Sequence, residues 1–104
     1  RALASAAYGV LSTFKPNKVS YVSLAKDITQ YCDCRPNPGK ILMKDVGIFA
    51  SNSPVSVDAA FLGMVNYKVF NKLSSVDCML QVQEAKTLGI KGEVKPELKL
   101  ASGL

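Results

Sequence analysis

Apolar residues open the chain at helical spacing. Leu3, Ala6, Ala7, Val10, Leu11 and Phe14 recur at three- and four-residue intervals, which predicts a core-packing helix over residues 2–14. Gly9 lies inside it at a cost of about 1 kcal/mol against alanine, so a close neighbour is expected there. Pro16 and Asn17 end the helix. From Val19 to Leu24 the pattern changes to alternation among β-branched and aromatic types, and a strand with both faces partly covered is expected. Arg35 to Lys40 holds Pro36, Asn37, Pro38 and Gly39, turn chemistry that neither a helix nor a central strand can cross. Ile41 to Met43 extends toward a short buried strand, Asp45 to Ala50, in which Gly47 would permit close backbone approach.

Ser53-Pro54 is a helix start, because serine accepts a bond from an orphan amide and proline has no amide to leave unpaired. Val55 to about Tyr67 is apolar on most sides, the signature of a deeply buried helix, with Asp58 its exception. Residues 66–73 read either as continued helix or as a loop with Phe70 turned inward. Ser74 or Ser75 would cap a third helix over 76–88, closed by Gly89. Residues 91–98 read as a last strand that Pro96 confines to an edge, followed by a loose tail at 99–104.

This order predicts an α/β or α+β fold: a small mixed or parallel sheet with packing helices and a right-handed parallel crossover. One hydrophobic core is all that 104 residues support. The chain starts at Arg1 with a helix that lacks a cap, so residues 1–104 are expected to be one domain, the C-terminal segment and a fragment of a larger protein.

Charge and composition narrow the classes. No apolar run approaches the roughly 18 residues of a membrane span, so no membrane partner is expected. The net charge is +5, but the lysines are scattered, the arginines number only two, and aromatics interleaved at base-stacking spacing are absent. That pattern describes a solvated surface, and no nucleic-acid partner is expected. Three cysteines are an odd count that fits a reduced, cytoplasmic setting better than a disulfide framework. With no histidine, a Ser-His-Asp or Cys-His site is excluded within these residues.

The chemistry that remains is thiol and carboxylate. Cys32 and Cys34 flank Asp33; in an extended stretch their side chains share one side, with Cα atoms about 7 Å apart, too far for an easy disulfide and better suited to a shared metal. A closed four-ligand site would need Cys78, an aspartate or residues elsewhere. Asp45 and Asp58 bracket the second strand and the helix start. Asp58 could gain from helix amides or bind a metal, or it could simply pair with a lysine. Cys78, beside Met79 and Val82, reads as a buried apolar thiol.

Taken together, Tyr31 through Cys34, and Lys44 through Ala60 (Lys-Asp-Val-Gly-Ile-Phe-Ala-Ser-Asn-Ser-Pro-Val-Ser-Val-Asp-Ala-Ala), resemble the C-terminal part of a large prokaryotic family of uncharacterised proteins. Many of its members carry an inserted ferredoxin-type module with paired four-iron clusters. Family members show Cys-Asp-Cys after a strand, then Asp-Ile-Gly-Ile-Leu-Ala-Ser, then Asp-Pro-Val-Ala-Ile-Asp, so Cys32, Asp33, Cys34, Asp45 and Asp58 match the motif positions. Arg35 stands where the family has histidine or another polar residue, and Ser53 replaces an aspartate. The resemblance implies an iron–sulfur-associated redox context. Metal ligation would fall to Cys32, Asp33, Cys34 and Asp58, with Asp45 and Arg35 lining the site. The cofactor would be a metal ion or an iron–sulfur cluster, the clusters belonging to an upstream segment. The partners would be the remainder of the parent chain or a ferredoxin-like module. Two rival expectations stand beside this one: a structural or interaction domain without a site, and an enzyme using Asp45 or Asp58 on a small anionic substrate.

Overall fold

The computed structural model describes residues 1–101; the end of the tail expected at 99–104 lies outside the described residues. The chain forms α1 (Ala2–Leu11), β1 (Tyr21–Ala25), β2 (Gly47–Ser51), α2 (Pro54–Met64), α3 (Lys68–Ser74) and α4 (Met79–Thr87). It is a small α+β fold in which α2 packs on one side of a two-stranded sheet and α1 and α4 pack with α2 around the core.

The sheet is antiparallel, with Tyr21 opposite Ser51 and Ala25 opposite Gly47, in place of the expected mixed or parallel arrangement. The reason lies in residues 26–46, which contain no helix to carry a crossover. They instead fold back on themselves as an arm. The amides of Gln30, Tyr31 and Leu42 donate to the carbonyls of Lys40, Pro38 and Ile28 at 3.2, 2.9 and 2.8 Å, and Thr29 bridges Ile41. Between Ala25–Gly47 and Thr29–Ile41 the second strand carries two more residues than the first, so the arm is kinked. Neither strand is covered on both sides. Val22, Leu24 and Ile48 are exposed, while Phe49 turns inward and meets Phe61 edge to face at 6.1 Å.

The core is built from small residues: Ala4 of α1, Val55, Ala59 and Leu62 of α2, Val82 and Ala85 of α4, and Ile90 beyond it. Alanines let α4 approach both α1 and α2 closely. On α1 only Ala4 is fully buried, with Ala7 and Leu11 packed beside it, whereas Leu3, Val10 and Phe14 of the expected stripe face out. The helix stops at Leu11 because the Ser12 and Thr13 hydroxyls bond back to the carbonyls of Gly9 and Val10. Gly9 and Gly47 have no close neighbour, so the close approaches expected at both are absent; at Gly47 the backbone φ of +141° accounts for the glycine.

Ser53 caps α2 as expected, accepting the Ser56 amide at 3.1 Å from an extended backbone. Its hydroxyl also donates to the Lys91 carbonyl, and the Ser56 hydroxyl accepts the Glu93 amide at 2.8 Å. These bonds replace the final strand expected at 91–98: the backbone there is held by side chains from the start of α2. Gly92, at φ +142°, passes so near that an added Cβ would collide with Ser53 Oγ. Extended geometry at Val65 ends α2 before Tyr67, and 68–74 form a separate helix. Asp77, not a serine, starts α4: its carboxylate accepts the Met79 amide and the Asn71 side-chain amide, both at 3.0 Å. Gly89, at φ +98°, follows α4 as expected.

Candidate functional site

The two loop cysteines stand at the tip of the arm. The Arg35 amide donates to the Cys32 carbonyl at 3.1 Å, closing a turn over Cys32, Asp33, Cys34 and Arg35. The stretch is therefore not extended, and the separation inferred from strand geometry does not apply. Within the turn the Cys34 amide donates to Cys32 Sγ at 3.3 Å, and the Cys32 thiol lies 3.6 Å from Asp33 Oδ1. Both thiols are exposed and free. A side-chain hydrogen bond with Cys32, together with the nearby Cys32 and Asp33 charges, raises the pKa of Cys34. The Cys34 thiol thus releases its proton less readily because its neighbour is a thiol too.

The arm holds this turn in place. The Arg35 guanidinium lies 4.3 Å from the centre of the Tyr31 ring, a cation–π contact that sequence spacing did not suggest. Asn37 accepts the Gly39 amide at 3.0 Å, and the φ of +85° at Gly39 returns the chain to the arm. At the kink, Asp45 Oδ1 accepts the Asp27 amide at 2.9 Å, with Asp27 at φ +50°. Asp45 is a fastener of the arm rather than a member of the thiol turn.

Asp58 is elsewhere. Its carboxyl borders a cavity of about 80 Å³ formed by Leu3, Ala4 and Ala7 of α1, Val55 of α2, Gln81, Val82 and Ala85 of α4, and Ile90. The residue as a whole is exposed, but the apolar groups crowded around its carboxyl strip away part of its water and raise its pKa. The ion pairs among the described residues are Arg1–Glu84, Lys26–Asp27 and Lys86–Glu93, so the lysine partner considered for Asp58 is not formed. Cys78 is half-buried and directs its thiol at the Tyr67 carbonyl at 3.9 Å; burial, then Asp77, raises its pKa.

The structure thus brings Cys32, Asp33, Cys34 and Arg35 into one turn and leaves Asp45, Asp58 and Cys78 outside it. Among the described residues no three His, Cys, Asp or Glu side chains are arranged to hold a metal ion. A four-iron cluster held by four thiolates does not fit a chain with three cysteines, one of which is engaged at Tyr67. What the turn offers is a pair of adjacent thiols on an exposed tip.

Fold and site define a small α+β module with a dithiol-tipped arm. No protein-family model matches the chain, and neither a curated protein nor a solved structure matches it. No helix among the described residues is long and apolar enough to cross a membrane.

Proposed function

We propose that this chain is a dithiol-bearing module of a redox-associated assembly, whose Cys32–Cys34 pair ligates a soft, thiophilic metal ion. The observation that carries the reading is the turn itself: two exposed thiols, with the Cys34 amide 3.3 Å from the Cys32 sulfur. Thiolates select soft ions, and a two-thiolate set suits an ion of low coordination number. Ligands beyond these two would come from the remainder of a parent chain or from a ferredoxin-like module, the partners that the sequence resemblance implies. Asp33 is near enough to Cys32 to orient it, and Arg35, stacked on Tyr31, braces the turn. Asp58 is not part of the ligand set in this reading. Free thiols of this kind persist in a reducing compartment, so the reading includes a cytoplasmic location.

Titration of the reduced chain with Cu(I) or Cd(II) tests this. A thiolate-to-metal charge-transfer band in the ultraviolet is expected, retained in Cys78→Ser and lost in the Cys32→Ser, Cys34→Ser double variant. A band that survives in the double variant refutes the proposal.

One observation favours a second reading, a docking domain whose cysteines have no special chemistry: the uncovered apolar face of the sheet. The enzymatic reading has less behind it. Asp45 is engaged at the Asp27 amide, and the cavity beside Asp58 has no lysine or arginine in its lining to hold an anionic substrate.

A further inference from the structure

The turn at the tip of the arm changes what its two thiols can do. In an extended stretch the Cα atoms of Cys32 and Cys34 would stand about 7 Å apart, beyond easy disulfide reach. The bond from the Arg35 amide to the Cys32 carbonyl, 3.1 Å, makes them the first and third residues of a turn instead. Two trans peptides folded through such a turn leave these Cα atoms about 5.5 Å apart. A disulfide spans about 4.4–6.8 Å between Cα atoms, so the turn brings the pair within range. The side chains meet as well: the Cys34 amide donates to Cys32 Sγ at 3.3 Å, and the two thiols are hydrogen-bonded to each other. Residues 31–37 are all exposed and both thiols are free, so a second molecule can reach either sulfur. Behind the turn, Arg35 lies on Tyr31 at 4.3 Å and the Tyr31 amide donates to the Pro38 carbonyl at 2.9 Å, which keeps the pair from drifting apart.

We propose that Cys32 and Cys34 are a thiol–disulfide exchange pair, which reduces an accessible disulfide on a second molecule by closing into a disulfide across the turn. One cysteine, as thiolate, attacks a sulfur of the substrate disulfide. That S–S bond breaks, a mixed disulfide forms, and the first substrate thiolate leaves. The other cysteine then attacks the sulfur of its neighbour, forming the Cys32–Cys34 bond, breaking the mixed disulfide and releasing the second substrate thiolate. Two electrons pass from the pair to the substrate, and the departing thiolates take up the protons that the cysteines give up. Closure is intramolecular, so thiols held in contact outcompete a second substrate molecule for the mixed disulfide. A disulfide spanning one residue gains little from loop closure, and exposed disulfides are the labile ones. This one therefore reopens by the reverse steps when thiols are in excess, which makes it an exchange centre and not a structural staple. The activity goes beyond metal ligation, since it belongs to the pair with no ion bound. Cys78 takes no part, being half-buried against the Tyr67 carbonyl.

Incubating the reduced chain with glutathione disulfide, without oxygen and with a chelator present, tests the proposal by peptide mass spectrometry. A Cys32–Cys34 disulfide should form, with both halves of the oxidant released as reduced glutathione, in wild type and in Cys78→Ser alike. Cys32→Ser and Cys34→Ser should each stop at a glutathione adduct on the remaining cysteine of the pair. An excess of reduced glutathione should reopen the disulfide. In urea that unfolds the chain, the ratio of closed pair to glutathione adducts should fall by about tenfold, because the turn no longer holds the thiols together. Circular dichroism establishes that each variant is folded. A disulfide-linked test protein in place of glutathione disulfide shows, by which of the two reacts faster, whether the substrate is small or a protein. Exchange with neither overturns the proposal. So does a wild-type chain that carries only adducts, a disulfide that excess thiol does not reopen, or an unchanged ratio in urea. With the chelator present, these outcomes leave metal ligation untouched, and a failed metal titration leaves exchange untouched.

Discussion

Ser53→Ala removes two bonds that join the start of α2 to the segment after α4. The hydroxyl accepts the Ser56 amide as the helix cap and donates to the Lys91 carbonyl, and the residue is only 8% exposed. Loss of a serine cap costs about 0.5–2 kcal/mol. Loss of the bond to Lys91, whose carbonyl regains some water, adds about 0.5–1.5 kcal/mol. The expected sum is about 1–3.5 kcal/mol, a large share of the roughly 5–15 kcal/mol that holds a domain of this size. Urea unfolding followed by circular dichroism should show a lower midpoint with an unchanged slope, and Tm should fall by about 5–20 °C. Ser53→Asp should destabilise at least as much as Ser53→Ala: its carboxylate can accept the Ser56 amide, but it is larger than the hydroxyl where Gly92 passes close, and its charge would face the Lys91 carbonyl. If Ser53→Ala unfolds within about 0.3 kcal/mol of wild type, α2 does not hold the 91–93 segment and the reasoning fails.

Asp58 and Cys34 provide two tests of the site electrostatics. Asp58 is exposed as a residue, but partial desolvation of its carboxyl raises its pKa, so the folded chain binds its proton more tightly than the unfolded chain does. That contribution is fully present below the unfolded carboxylate pKa and is lost as pH rises through the raised value. Asp58→Asn should therefore flatten the acid-side pH dependence and raise the urea midpoint at neutral pH; a variant that follows wild type at both pH values contradicts the desolvation argument. At Cys34, hydrogen bonding with Cys32 raises the pKa, so iodoacetamide should label it along a profile displaced to higher pH than that of a free thiol. Cys32→Ser should move that profile toward ordinary thiol behaviour, as read by peptide mass spectrometry, and an unmoved profile would show that the thiols do not interact.

Local chemistry was legible in the chain, and non-local pairing was not. Ser53-Pro54 announces a helix start wherever it lies, because cap and first-turn geometry involve only the next few residues. Gly89 after α4 and the turn-forming Pro36 to Gly39 are local in the same sense. The alternation from Val19 to Leu24 and the short apolar stretch about Ile48 identified strands but not their surroundings. A strand covered on both faces and a strand with one bare apolar face look alike until the neighbouring elements are placed.

The sequence alone determined the helices about Val55 and Val82, the absence of histidine chemistry, and the nearness of Cys32 to Cys34 along the chain. Only the tertiary structure decided that 26–46 doubles back so that β1 and β2 run antiparallel, and that the thiols share a turn. It also decided that Asp45 fastens a kink, that Asp58 borders an apolar cavity, and that 91–93 are tied to the side chains of α2 instead of forming a strand. The physical reason is the same in each case. Every buried or unpaired backbone group needs a partner, and which distant residue provides it depends on how the elements meet.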